Sequence, residues 1–343
     1  MLSTEPIRQL WCTWAVCGYG LAALITLAWR SRGTLAALTA SVTGAVLAPL
    51  AYLAAKGRYM PEVGVIERAA GLLLHHGTPY FSAAQLAGGG YLRYNPYLPA
   101  MTVFGLPHAL FGAGLLTDPR LWPGTVFGIL RTAAFWVSGV AGPAEPGTAP
   151  RGQGSAEPAC VAVTAWPAIP VACAQLAARY GPRAAASCAI AAGAVFAAIL
   201  APWTITQPGA LLRNTVPFPL GLSGVKSPAA SPLPGHLLAA AVGHPGHVIA
   251  IILLACAGVA VTGSLVVRPP ASLAAATWRL AIGLALMFAL APASRWGYFV
   301  YPIGLLGWLW LSGHAVATWP AAWPRLHRRR AERALPRPAT MVR

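Results

Sequence analysis

Nine stretches of the sequence are apolar over about the length of a membrane crossing: 10–29, 34–55, 97–116, 124–141, 159–178, 184–203, 247–267, 272–292 and 297–317. At 1.5 Å rise per residue, roughly 20 apolar residues of helix cross a hydrocarbon layer of about 30 Å. Runs of that length dictate helices, because backbone facing lipid must satisfy its N–H and C=O groups internally. The expectation is an all-α, polytopic transmembrane helix bundle of about nine spans in the cell membrane. Charged residues make up 9% of the chain, against about 25% in a soluble domain, too few to clothe a water-facing surface. The hydrophobic share of 57% equally excludes a disordered chain. Segment 124–141 is the shortest and carries Arg131. Residues 236–246 (HLLAAAVGHPG) read as a broken or re-entrant tenth segment, since Gly243, Pro245 and Gly246 interrupt it.

The organisation that follows is a transmembrane domain over 1–319 and a basic cytoplasmic tail over 320–343. Residues 142–158 (GPAEPGTAPRGQGSAEP) read as a low-complexity insertion or loop within the first. The net charge of +17 comes from 24 Lys and Arg against 7 Asp and Glu. Seven of those Arg lie in the tail. A basic tail after a last span reads as a cytoplasmic retention signal touching anionic lipid, so nucleic acid is not an expected partner. The first apolar run is too long for a signal-peptide core, and Arg30 and Arg32 follow it in place of a small-residue cleavage site. Those two Arg set the N-terminus outside, and the tail sets the C-terminus inside. Loops 56–96 and 204–235 then lie outside. Apart from the tail, cations favour the outer side, which an anionic substrate would explain. The six cysteines form no CxxC and read as small buried hydrophobes.

If the chemistry needs a carboxylate, the choice is narrow. Of the seven acidic residues, Glu5 and Glu332 are near the ends, Glu145 and Glu157 are in the low-complexity segment, and Asp118 is in a DPR turn. Glu62 and Glu67 remain, both in the 56–96 loop. Pro61 suits a first helical position, and Gly77 followed by Pro79 stops a helix. Between them Val63, Ile66, Ala70, Leu73 and Leu74 form an apolar stripe opposite Arg68, His75 and His76. The pattern predicts an amphipathic surface helix over 61–76. Glu62 falls in its first turn, where the helix dipole favours a charged carboxylate. It is a candidate general base, or simply a favourable first-turn charge.

Further candidates are polar residues beside the spans. Tyr91, Tyr94 and Tyr97 surround Arg93 and Asn95 in the run GGGYLRYNPYLP. Alone, such tyrosines are an interfacial belt; Arg93, Tyr94 and Asn95 together could hold a phosphate or sugar. The triple glycine lacks the GK[ST] ending of a phosphate loop. The second outer loop offers Arg213, Asn214 and Lys226. The last span opens SRWGYFVYP, which puts Arg295, Tyr298 and Tyr301 at its outer end, the two tyrosines on one helix face. Snorkelling to the interface would equally explain Arg295. Converging Arg93, Arg213, Lys226 and Arg295 would suit a lipid phosphate. The pairs His75-His76 and His244/His247 match no metal signature, so no metal or other cofactor is expected.

The acidic residue in the first outer loop, the following helix, a GTPYF-like element, YNPYLP and the RxGYxxYP-like opening of the last span occur in an order that resembles the GT-C glycosyltransferases. The chain looks most like the family 87 (DUF2029) group of actinobacterial polyprenyl-phosphate-mannose-dependent mannosyltransferases, over roughly residues 50–317. The resemblance implies a GT-C-like fold. It also implies inverting transfer of a sugar, mannose in that group, from a polyprenyl-phosphate donor to a lipid or glycan acceptor of the cell envelope on the outer face. It assigns the base to Glu62, where the family usually carries Asp, and sets Arg295 and Tyr298 towards the donor phosphate. It further implies membrane-embedded chain where 142–158 stands. The rival readings are a transporter or lipid flippase, and a non-catalytic or degenerate family member. Against a coupled carrier, no Asp or Glu lies within any expected span.

Overall fold

The computed structural model describes residues 6–29, 33–126, 129 and 166–311. Most of 124–141, Arg131, the 142–158 segment and the tail lie outside the described residues. Among those described, the chain is helical, with one isolated bridge between Ala230 and Ser294. Five helices are long and apolar enough to cross a membrane: α1 (Pro6–Ala28), α2 (Thr34–Ala55), and, further on, Pro182–Thr206, His244–Val267 and Leu273–Leu290. Their outer faces expose bare Leu, Ile and Val, among them Leu24, Ile190 and Val259, the surface that lipid covers.

α1 and α2 form a hairpin that crosses at two glycines. A Cβ at Gly18 would stand 2.6 Å from the Ala45 backbone nitrogen, and one at Gly44 would stand 2.7 Å from the Gly18 Cα. Only hydrogen at both positions permits this approach, the usual role of small residues between membrane helices. At the crossing itself, α2 widens into a π-turn over Thr43–Leu47. Pro49 follows in the next turn. Its ring would press on the Ala45 carbonyl of a regular α-helix, and the wider turn relieves that contact.

α3 (Pro61–His76) starts and stops at the expected residues, with Pro61 at its first position and Gly77 closing it at φ +64°. That left-handed conformation is the one glycine adopts without cost. The apolar face differs from the expected stripe. Val63, Val65, Ala69 and Ala70 are buried, while Leu74 is exposed. The cover is protein: a 3-10 helix over Pro99–Gly105 and the short α5 (Leu106–Phe111) lie on α3. Between them, Ser82 and Gln85 close a capping box on the four-residue α4 (Ala83–Leu86).

This packing corrects the span expected at 97–116. Seven 3-10 residues and six α residues reach about 23 Å at about 2.0 and 1.5 Å per residue, short of a crossing. Pro96, Pro99 and Pro107 each remove a backbone donor, and Gly112 ends the run.

The remaining bundle is built from α6 (Ala168–Tyr180), α7 (Pro182–Thr206), α8 (Pro208–Thr215), α9 (Pro234–Val242), α10 (His244–Val267), α11 (Leu273–Leu290) and α12 (Val300–Leu311). α6 packs on α7, α9 on α10, and α11 on both α10 and α12. The break expected within 236–246 falls at Gly243, between α9 and α10. Val171, Leu265 and Ala276 join α6, α10 and α11. Arg279 inside α11 donates to the Ser264 carbonyl at 2.6 Å, so its polar head is met within the bundle. Cys188 is buried, but Cys12, Cys17 and Cys256 sit on exposed helix faces, so small buried hydrophobe describes only part of the set.

At one end, loops 77–98 and 207–233 fold onto each other. Tyr80 packs on Ala210 and Leu211. Leu86 and Tyr94 pack with Phe218.

Candidate functional site

Glu62 and Arg295 meet at this end. Arg295 Nη1 donates to Glu62 Oε1 at 2.5 Å. Glu62 comes from the first turn of α3. Arg295 comes from the extended segment between α11 and α12, just ahead of a 3-10 turn over Trp296–Phe299. Several bonds fix that segment. Ser231 N–H donates to Ser294 O at 3.1 Å, and Trp296 N–H to Ser231 Oγ at 3.2 Å. His236 Nδ1–H donates to Pro292 O at 3.0 Å. Ser231 and His236, at the end of loop 207–233 and the start of α9, therefore hold the segment that carries Arg295.

The ion pair is incomplete. Glu62 Oε2 and Arg295 Nε are buried and have no hydrogen-bond partner among the described residues. The Arg295 side chain is 18% exposed and that of Glu62 36%, so the pair is partly shielded from water.

Two phenols lie within electrostatic reach of it. Burial holds the Tyr97 hydroxyl well above its ordinary range; Glu62 and Tyr298 push the same way and Arg295 opposes them. Tyr298 is raised mainly by burial, with Arg295 and Arg8 opposing and Glu62 and Tyr301 adding to the rise. Both therefore stay neutral O–H donors at physiological pH. Tyr298 and Tyr301 both lie against Phe288, at ring distances of 5.3 and 6.3 Å, so they share one side as expected, with Tyr301 the more exposed.

The other expected site residues lie away from the pair, and most are engaged elsewhere. Arg93 Nη1 donates to the Gln85 carbonyl at 2.7 Å. Tyr94 is buried and stacks on Phe218 at 4.6 Å. Asn95 is buried too: its N–H donates to Asn214 Oδ1 at 3.0 Å, its Nδ2 to Pro79 O at 3.1 Å, and its Oδ1 accepts from Tyr97 N–H. Arg213 lies back over Gly209 of its own helix, and Lys226 is exposed. Among the described residues no hydrogen bond or ion pair joins Arg93, Arg213 or Lys226 to Glu62, so Arg295 is the expected cation that meets it. Tyr94 and Asn95 brace the loops, and Tyr97 stands where one of them was expected. Tyr97 was missed as a site residue, although it belongs to the YNPYLP run already singled out; Arg8 adds only a minor charge effect at Tyr298. An open groove of about 430 Å3 at the α1 end is lined by Pro6, Ile7, Gly57, Arg58 and Tyr59, not by the expected Glu62, Arg295 and Tyr298.

A second polar cluster braces the far side of α3. His108 Nδ1 lies 3.6 Å from Glu67 Oε1. Asp118 accepts three bonds from Arg120, from its backbone N–H at 2.9 Å and its guanidinium at 2.8 and 2.5 Å, and Arg120 Nη1 donates to the Arg58 carbonyl at 3.1 Å. Burial pushes the Glu67 carboxyl above its ordinary range, and the opposing influence of His108 is smaller. For Asp118, burial also pushes upward, but the hydrogen bonds and charge of Arg120 together outweigh it and hold the carboxyl low.

No protein-family model, curated protein or solved structure matches this chain.

Proposed function

We propose that the protein is a multi-pass glycosyltransferase of the cell membrane, with a GT-C-like arrangement, acting on a polyprenyl-phosphate sugar at the outer face. The sugar is mannose by resemblance, and the acceptor is a lipid or glycan of the envelope. The observation that carries this reading is the contact between Glu62 and Arg295. It sets a carboxylate beside a guanidinium and two neutral phenols at one end of a helical, apolar chain. An acceptor hydroxyl attacks the anomeric carbon from the side opposite the phosphate. The bond from that carbon to the phosphate oxygen breaks, and the electron pair leaves with the polyprenyl phosphate. Glu62 takes the hydroxyl proton as general base, and the anomeric centre inverts. Arg295, with Tyr97 and Tyr298 as hydrogen-bond donors, offsets the charge on the departing phosphate.

The test is transfer itself. Purified full-length protein in proteoliposomes is given radiolabelled polyprenyl-phosphate mannose and an alkyl mannoside. A labelled disaccharide of inverted configuration supports the reading. Absence of transfer to this and to other envelope acceptors, with the protein folded, removes it.

A further inference from the structure

For a residue assigned to take a proton, Glu62 is poorly available. Oε1 is engaged by Arg295 Nη1 at 2.5 Å, and Oε2 is buried without a partner. One oxygen is already held by the guanidinium and the other is closed off from solvent. Arg295 is equally unfinished, because Nε is buried and unmet although guanidinium and carboxylate commonly pair through two parallel bonds. One contact thus holds the pair together while one donor and one acceptor stay buried and unused, an arrangement that costs free energy at each atom. A phosphate ester suits the free donor better than Glu62 does. It can accept from Nε and a terminal nitrogen together, and from the Tyr97 and Tyr298 hydroxyls as well. Its charge would also repel the carboxylate beside it.

We propose that the Glu62–Arg295 pair masks the base, and that a lipid-phosphate headgroup unmasks it by taking Arg295 away from Glu62. This rests on the glycosyl-transfer reading of the same site and adds its control: donor binds first, and the carboxylate is free for an acceptor hydroxyl only afterwards. The protein without donor then holds its base closed.

The experiment measures decyl phosphate binding to full-length protein in detergent by calorimetry, with inorganic phosphate as the comparison. In the wild type the anion must break the ion pair; in Glu62→Gln no ion pair exists. The Gln variant should therefore bind decyl phosphate about 3–10-fold more tightly than wild type, the range for partly exposed charge pairs, and Arg295→Ala should bind at least about 10-fold more weakly. Glu62→Asp withdraws the carboxylate by one methylene and should also bind more tightly; it supplies the reading if the Gln variant does not fold. Unchanged or weaker binding in the folded Glu62 variants overturns the mask, as does unchanged binding by Arg295→Ala. Equal affinity for inorganic phosphate overturns the lipid source. Decyl phosphate carries no sugar, so the two ideas fail separately. A gain in Glu62→Gln without any transfer by wild type leaves the exchange and removes glycosyl transfer, whereas transfer without that gain removes the mask alone.

Discussion

The backbone N–H of Asn95 donates to Asn214 Oδ1 at 3.0 Å across 119 positions of sequence. Asn214 is fully buried, and its Nδ2 donates to the carbonyls of Ala210 at 2.9 Å and Phe81 at 3.3 Å. One amide thus ties loop 77–98 to α8, and through Asn95 it sets the Tyr97 backbone. Asn214→Leu keeps the volume and removes every partner. Each buried polar group left unpaired costs about 1–3 kcal/mol, so the thermal midpoint in detergent should fall by several degrees. A midpoint equal to wild type would show that the two loops do not depend on this amide.

The α1–α2 crossing gives a second test with an internal control. A Cβ at Gly18 meets backbone at 2.6 Å, whereas one at Gly20 meets nothing within 4 Å. Gly18→Leu should lower stability by about 1–3 kcal/mol, the usual cost of overpacking, and Gly20→Leu should leave it near wild type. Thermal unfolding of both variants decides the matter; equal effects would mean that the helices do not cross there.

The pH dependence of stability should carry a signature of Glu67. Its carboxyl is raised in the folded protein, chiefly by burial. A raised group contributes stability that is present below its unfolded pKa and is lost as pH rises through the folded value. Wild type should therefore lose thermal stability upward from the ordinary glutamate range, and Glu67→Gln should lack that decline. Asp118 is shifted the other way, so its contribution is present above the ordinary aspartate range and fades as pH falls through its lowered value. A midpoint of Glu67→Gln that follows wild type at every pH would show that Glu67 does not titrate in this way.

The five long helices and both ends of α3 were legible because each rests on a local rule: apolar length for the spans, Pro61 and Gly77 for the helix. Glu62 could be isolated by elimination, since only seven acidic residues exist. Its nearness to Arg295 could not be read from spacing across 233 positions; resemblance alone put both in one site. Hydropathy overread 97–116, where prolines break an apolar run. The expected convergence of cations overlooked cheaper partners nearby. Arg93 reaches a carbonyl eight residues away, and Arg213 folds over its own helix.

The orientation expected from the charges of the 30–33 turn and the 320–343 segment can be checked without any substrate. Single cysteines at Ser82 and Ala339, in a chain whose native cysteines are replaced, should label from opposite sides of the membrane. Labelling from the same side would remove the outer position of the 56–96 loop, and with it access to a lipid-linked sugar at that face.

Sugar transfer by Glu62→Gln, compared with wild type in proteoliposomes at saturating donor and acceptor, bears most directly on the role of the carboxylate. Gln keeps the shape of the side chain and cannot take the proton. General-base catalysis contributes about 10²–10⁴-fold, so turnover should fall by that order while decyl phosphate binding shows the variant to be folded. Turnover at the wild-type rate in a folded Glu62→Gln variant would contradict the assignment of Glu62 as the base.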